Sequence, residues 1–124
     1  MIDDALTNAD KIQQMIDKIE QQIGFIPEAS FEKANSYAAY DRAIAITILK
    51  IRNGIMKQWE YEPGKFLNLE NTTATNVPVI AKGICSIEAL QKEAGEAGYK
   101  GLIVTIEALR AMLNGYQSIF KIIQ

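Results

Sequence analysis

The sequence predicts an all-α fold, because apolar residues recur at helical spacing near both ends of the chain, and Gly24 and Gly54 stand where the first two helical patterns stop. Hydrophobic residues make up 48% of the 124 residues and charged residues 23%, as in folded proteins. We expect one helical domain over residues 1–124: a long helical hairpin formed by the second and last helices, with an N-terminal amphipathic helix along it.

The first predicted helix is amphipathic. Thr7 and Asp10 form a capping box, which places the start of the regular helix near Asn8. Gly24 is expected to end it, and Pro27 opposes its continuation. One apolar stripe has spacings of 4, 3, 4 and 3, which are typical of a coiled coil: Ile12, Ile16, Ile19, Ile23 and Ile26.

A second, longer helix is predicted from about residue 28 to residue 53. Gly54 terminates it, and Lys50 and Arg52 lie in the last turn, where cations favour the helix dipole. Its apolar stripe is expected to comprise Phe31, Ala34, Ala38, Ala45, Ile48 and Ile51, widened by Tyr37, Ile44 and Leu49.

The segment 55–76 interrupts the helical pattern. Apolar and polar residues alternate weakly on both sides of Pro63 and Gly64, a turn dipeptide. A short β-hairpin near residues 56–69 is one interpretation. An irregular loop, with Trp59 and Phe66 folded onto the helices, is the other. Residues 77–82 are expected to form one or two helical turns that Gly83 closes.

The last predicted helix runs from Ser86, a natural N-cap, to about Ile122. Its apolar stripe is the strongest periodicity in the sequence and spans nearly three heptads. The stripe comprises Leu102, Ile106, Leu109, Leu113, Tyr116 and Phe120.

Three glycines inside this helix need a physical reason, since each costs helix stability: Gly95, Gly98 and Gly101. We expect them to let the alanine-rich second helix approach closely in an antiparallel pair, with Gly98 at the centre of the contact. The alternative is that the glycines divide the segment into two helices.

Catalytic chemistry has few candidates in this chain. There is no histidine, and the single cysteine, Cys85, therefore lacks the partner that activates most catalytic thiols. No phosphate-binding glycine loop is present, and the acidic pairs Glu60/Glu62 and Glu93/Glu96 are typical of solvated charges. We expect no enzymatic activity, no metal and no cofactor. A lone cysteine, an acidic N-terminus and no long apolar run favour a cytoplasmic protein without a membrane span.

A cluster of basic and aromatic residues is the one indication of nucleic acid. Single-strand binders combine cations for phosphates with aromatic rings on which bases stack. The candidate nucleic-acid-binding residues are Arg42, Lys50, Arg52, Lys57, Trp59, Tyr61 and Lys65. The alternative is a solvated helix face whose aromatic residues serve packing. The formal net charge is −2, and residues 1–32 alone carry −5, so overall charge does not decide between them.

Two stretches resemble short helical phage and prophage proteins that are often encoded beside recombination and replication genes. The first runs from Ala39 to Gly54, and the second begins with Ala81-Lys-Gly-Ile-Cys85 and continues through Tyr99 to Phe120. In size and layout such proteins are similar to the UvsY-type recombination mediators. This resemblance implies a helical oligomer that binds single-stranded DNA and helps to load a recombinase.

The function we expect is therefore a non-enzymatic phage accessory of DNA recombination or replication that contacts single-stranded DNA and a partner protein. The rival is a protein-binding module, such as a phage inhibitor of a host defence or host enzyme, whose acidic N-terminal helix could mimic nucleic acid.

Self-association is predicted because the apolar stripes present more surface than three helices of unequal length can cover. The residues expected at the interface of a homo-oligomer lie in the last turns of the chain: Leu113, Tyr116, Phe120 and Ile123.

Overall fold

A computed structural model describes residues 2–123, and the side chains of residues 7–122. This part of the chain forms four helices and one two-stranded antiparallel sheet. The elements are α1 (Ile2–Gly24), α2 (Ile26–Arg52), β1 (Gln58–Glu62), β2 (Lys65–Asn68), α3 (Val77–Ile84) and α4 (Ser86–Ile123). The prediction of a mostly α-helical fold with a short hairpin is confirmed, and the irregular-loop interpretation of that segment is wrong.

Two boundaries differ from those predicted. Helix α1 begins at Ile2, because neither glycine nor proline interrupts the chain there, and Thr7 consequently lies inside the helix. At its other end α1 stops at Gly24, as predicted, and only Phe25 separates it from α2. Helix α3 continues through Gly83 to Ile84, so this glycine does not end it.

The chain forms two compact units, which we describe separately. Unit 1 comprises Met1–Phe31 and Glu96–Gln124, and unit 2 comprises Glu32–Gly95. The buried side chains of unit 1 are Met15 and Ile19 from α1 and Ile106 from α4. The remaining residues of the α4 stripe are half-buried, as the periodicity predicts. The ammonium group of Lys11 lies 6.0 Å from the centre of the Tyr116 ring.

In unit 2, α2 and the start of α4 pack antiparallel. The Thr47 hydroxyl lies 3.4 Å from the Cys85 thiol, and both groups are buried. Further along, the Lys92 ammonium lies 4.5 Å and 4.6 Å from the ring centres of Tyr37 and Tyr40. The inward face of α2 therefore includes tyrosines and a threonine. The predicted stripe is right at its end, where Ile48 is half-buried and Ile51 is buried, but wrong at Phe31, Ala34, Ala38 and Ala45, which are exposed.

The two helices approach closely at Gly95. A Cβ atom built on this residue would lie 2.7 Å from the Ser36 hydroxyl oxygen and 3.4 Å from the Lys33 Cα. The same atom built on Gly98 would meet nothing within 4 Å. A glycine-mediated contact therefore exists, but the expectation that Gly98 is its centre is wrong. The alternative, that the glycines divide this segment into two helices, is also wrong, since α4 is continuous.

The β-hairpin of unit 2 is attached to the helices by its aromatic residue Trp59. Carbon Cη2 of its indole lies 3.0 Å from a Cβ built on Gly83, so a side chain there would displace the ring. Beside the indole lies a small core of Ile51, Leu69 and Val77. The turn is made by Pro63 and by Gly64, whose φ of +76° is favourable only for glycine among common residues.

We predict opposite effects from one substitution at the two α4 glycines. Gly95→Leu inserts a side chain into the contact with α2 and should lower the free energy of unfolding by about 1–3 kcal/mol. Gly98→Leu removes an exposed glycine and should raise that free energy by about 0.5–1 kcal/mol. Urea unfolding followed by circular dichroism measures both, and a loss of stability at Gly98 equal to that at Gly95 contradicts the assignment.

We also predict unequal costs for truncating two aromatic residues of the hairpin. Trp59→Ala should lower the free energy of unfolding by about 3 kcal/mol, since the indole packs on α3 and the core. Phe66→Ala should change it by less than about 0.5 kcal/mol, because this ring is 52% exposed. Equal losses in the same denaturation experiment would show that both rings belong to the core.

Candidate nucleic-acid interface

An open groove of about 810 Å³ lies in unit 2 beside the β-hairpin. We call it the hairpin groove. It is lined by Lys50, Ile55, Met56, Lys57, Gln58, Phe66, Asn68 and Glu70. These residues come from the last turn of α2, the connection to β1, both strands, and the segment after β2.

The turn after α2 brings the two lysines of the groove to one place. Gly54 adopts a φ of +70°, which reverses the chain direction at the helix end. The amides of Ile55 and Met56 then both donate to the Lys50 carbonyl, at 2.9 Å and 3.1 Å. Lys57 is the next residue, and its carbonyl accepts the Leu69 amide at 2.9 Å. These backbone hydrogen bonds thus hold Lys57 close to the end of α2.

Strand alternation decides which aromatic ring faces the groove. Successive residues of a strand point to opposite faces of the sheet, whereas residues that pair across the two strands point to the same face. The register of the hairpin therefore decides whether Trp59 and Phe66 share a face. Trp59 pairs with Leu67 across the hairpin, and Phe66 pairs with Glu60. With Trp59 held against α3, Phe66 lines the groove on the other face.

The groove combines positive charge, an exposed ring and amide groups. In the described part of the chain neither the Lys50 nor the Lys57 ammonium group has an ion-pair partner. Ile55 is 71% exposed and Phe66 52% exposed. The Gln58 amide supplies donors and an acceptor, and the Asn68 amide supplies donors, while its oxygen accepts the Glu70 backbone amide at 2.9 Å. Such a surface can contact phosphates through its cations and bases through its ring, whereas the Glu70 carboxylate opposes anions.

The structure brings together only two of the seven predicted nucleic-acid-binding residues at this groove, Lys50 and Lys57. Trp59 packs inside unit 2, and Tyr61 contacts it edge to face, with ring centres 6.1 Å apart. The remaining three are exposed basic residues outside the groove lining: Arg42, Arg52 and Lys65. Lys65 is paired with Glu62 at 3.0 Å.

Phe66, Gln58 and Asn68 complete the groove but are not among the predicted binding residues. The position of Phe66 in β2 next to Leu67 indicates that only one of these two residues can face the helices, but which one depends on the pairing with β1.

The residues predicted at an oligomer interface lie in unit 1. Leu113, Tyr116 and Phe120 are half-buried. Phe120 also lines a second groove, of about 450 Å³, with Ile12, Gln117 and Lys121. The side chain of Ile123 lies outside the described residues. The interface at these four residues stays a prediction.

Comparisons with known proteins add no relative. No protein-family model matches the chain, no curated protein matches its sequence, and no solved structure matches its fold. In the part of the chain that the structure describes, no helix is long and apolar enough to span a membrane. Among the same residues, no group of three thiol or carboxylate side chains lies close enough together to hold a metal ion. Because none of the three comparisons finds a match, the resemblance to phage recombination proteins stays a prediction.

Proposed function

We propose that this protein is a non-enzymatic accessory of phage DNA recombination or replication, which binds single-stranded DNA in the hairpin groove and contacts a partner protein. The observation that carries the proposal is the position of two unpaired lysines, Lys50 and Lys57, around the exposed Phe66 ring. We place this function in the cytoplasm, where the Cys85 thiol stays reduced.

Single-stranded DNA fits the groove better than a duplex does. An unpaired base can leave its neighbours and stack on a phenyl ring, whereas a base inside a duplex offers no free face. The amides of Gln58 and Asn68 lie where they can contact a base or sugar at the ring. Because every base has a face to stack, the proposed binding is tolerant of sequence.

The number of cations sets the expected strength of binding. Two phosphate contacts on a single strand give a slope of about −1.4 in log K against log salt concentration. The formal net charge of −2 provides no general attraction for DNA, so the contact is local and weak for one copy. An accessory of this kind gains affinity by presenting several grooves to one strand, and self-association is therefore part of the proposal.

Binding of fluorescein-labelled oligo(dT), followed by anisotropy between 50 and 200 mM salt, tests the proposal. Phe66→Ala should weaken binding roughly 5- to 150-fold, which is the range expected for losing one stacked base. Lys50→Gln and Lys57→Gln should each reduce the salt slope by about 0.7.

Two variants serve as matched controls. Tyr61→Ala removes a ring that is 49% exposed on the same hairpin but does not line the groove, and Lys82→Gln removes an exposed lysine from α3. Both should bind like wild type. No binding at 50 mM salt, or an equal loss in Tyr61→Ala and Phe66→Ala, contradicts the proposal.

The rival function has one specific observation in its favour. Asp10, Asp17 and Glu20 are all exposed on α1, while Met15 and Ile19 are buried. This acidic surface could mimic the phosphates of nucleic acid towards a host protein, as expected of a phage inhibitor of a host defence or host enzyme. Binding to a basic host protein with no affinity for oligo(dT) would favour this second function.

A further inference from the structure

The chain contains two asparagine–glycine dipeptides, which lie in unlike backbone settings. Asn53 and Gly54 follow the carboxyl end of α2, whereas Asn114 and Gly115 lie inside α4. All four residues are exposed, so access of water does not distinguish the two dipeptides. The backbone does distinguish them, and this matters because the backbone nitrogen that follows an asparagine can attack the side-chain amide of that asparagine.

The backbone at Gly54 is held less firmly than the interior of a helix. Helix α2 ends at Arg52, and Gly54 adopts a φ of +70°. Its amide donates to the Ile51 carbonyl at 3.2 Å, which is longer than the neighbouring amide bonds of this turn, at 2.9 to 3.1 Å. Nothing lies within 4 Å of a Cβ built on Gly54, so no side chain crowds this nitrogen. Helix ends open at a smaller free energy than helix interiors, so the Gly54 nitrogen is released more readily than one inside a helix.

The second dipeptide is embedded in regular helix. Helix α4 spans Ser86–Ile123, and an amide inside an α-helix donates to the carbonyl four residues earlier. The Ser118 hydroxyl also donates to the Asn114 carbonyl at 3.0 Å. Attack on the asparagine side chain requires backbone torsion angles outside the helical region, so this dipeptide reacts only after α4 has opened locally.

We propose that Asn53 is a site of covalent modification, at which the side-chain amide reacts with the backbone nitrogen of Gly54. This nitrogen, after losing its proton to hydroxide, forms a bond to Cγ of Asn53, and the side-chain nitrogen leaves as ammonia. The product is a five-membered succinimide ring, which one water molecule then opens. Opening at Cγ gives aspartate, whereas opening at the main-chain carbonyl carbon gives isoaspartate, in which the main chain runs through Cγ. The reaction consumes one water, releases one ammonia and transfers no electrons.

The modification changes the charge beside the hairpin groove, and this consequence rests on the function proposed above. Either product adds one carboxylate to a chain whose formal net charge is −2. Position 53 follows Lys50 by three residues, the helical spacing at which side chains are neighbours. The new carboxylate therefore competes with phosphate for the Lys50 ammonium group.

Isoaspartate has a second effect, on the backbone. It adds one methylene group to the main chain between α2 and β1, in the turn whose hydrogen bonds hold Lys57 close to the end of α2. Both effects weaken the groove for an anion, so modified copies bind single-stranded DNA less tightly than unmodified ones.

Incubation of the folded full chain at mildly alkaline pH, followed by mass spectrometry of its peptides, tests the site. Each event raises the mass of a peptide by about one dalton, and isoaspartate is recognised by fragmentation. Asn53 should react at least about tenfold faster than Asn114, because α4 must open before Asn114 can react. In urea that unfolds the chain, the two should react at similar rates, since glycine follows both.

Asn53→Gln is the matched control for this measurement. Attack on a glutamine side chain requires a larger ring, so this variant should lose the signal at position 53 and keep the slow reaction at Asn114. Circular dichroism checks that it remains folded. Equal rates at Asn53 and Asn114 in the folded chain overturn the proposed site, and so does a faster reaction at Asn114.

Anisotropy with labelled oligo(dT) tests the effect on the groove separately. Asn53→Asp adds the charge alone and should weaken binding roughly two- to fivefold relative to Asn53→Gln. The purified isoaspartate form should bind at least as weakly. Asn114→Asp adds the same charge at a residue that does not line the groove and should bind like wild type. Unchanged binding by Asn53→Asp and by the isoaspartate form overturns the effect on the groove. A wild type that does not bind oligo(dT) overturns the proposed function and this effect together, while the mass measurement still decides the modification.

Discussion

The contact between Trp59 and Gly83 is the constraint on which the proposed site depends. The indole occupies the space that a side chain at position 83 would take, and it packs beside the small core of Ile51, Leu69 and Val77. Because one face of the hairpin is held in this way, strand alternation leaves the opposite face, with Phe66, directed to the groove. A two-stranded hairpin is barely stable alone, so its attachment to α3 also maintains the position of the ring relative to the lysines.

The fold was largely predictable because helix periodicity is a local property. The stripe through Ile106 and the terminators Gly24 and Gly54 specify where helices run and stop without reference to any other part of the chain. Which glycine of α4 meets α2 was not predictable in this way. That depends on the register between two distant helices, which the Thr47–Cys85 contact and the position of Lys92 beside two tyrosines determine together. Nothing in the spacing of Gly95, Gly98 and Gly101 distinguishes them.

The residue types of the candidate site were predictable from the sequence, but most of its individual residues were not. Charge and aromatic content directed the prediction to residues 42–66, and two of the predicted lysines, Lys50 and Lys57, line the hairpin groove. The choice between Trp59 and Phe66 required the pairing of β1 with β2, including the irregularity between Glu60 and Glu62, which changes the register near the turn. From the sequence alone, Trp59 is the better stacking platform because its ring is larger. In the fold, Trp59 packs against the core and Phe66 is exposed.

The buried thiol of Cys85 has a practical consequence for studies of folding. It is the only cysteine in the chain, it is 3% exposed, and it belongs to unit 2. An alkylating reagent reaches it only when the packing of α2 against the start of α4 opens, so the rate of modification measures the opening of unit 2 alone. Unit 1 has no thiol and is silent in such an experiment. The protein therefore contains its own reporter of when unit 2 loses structure.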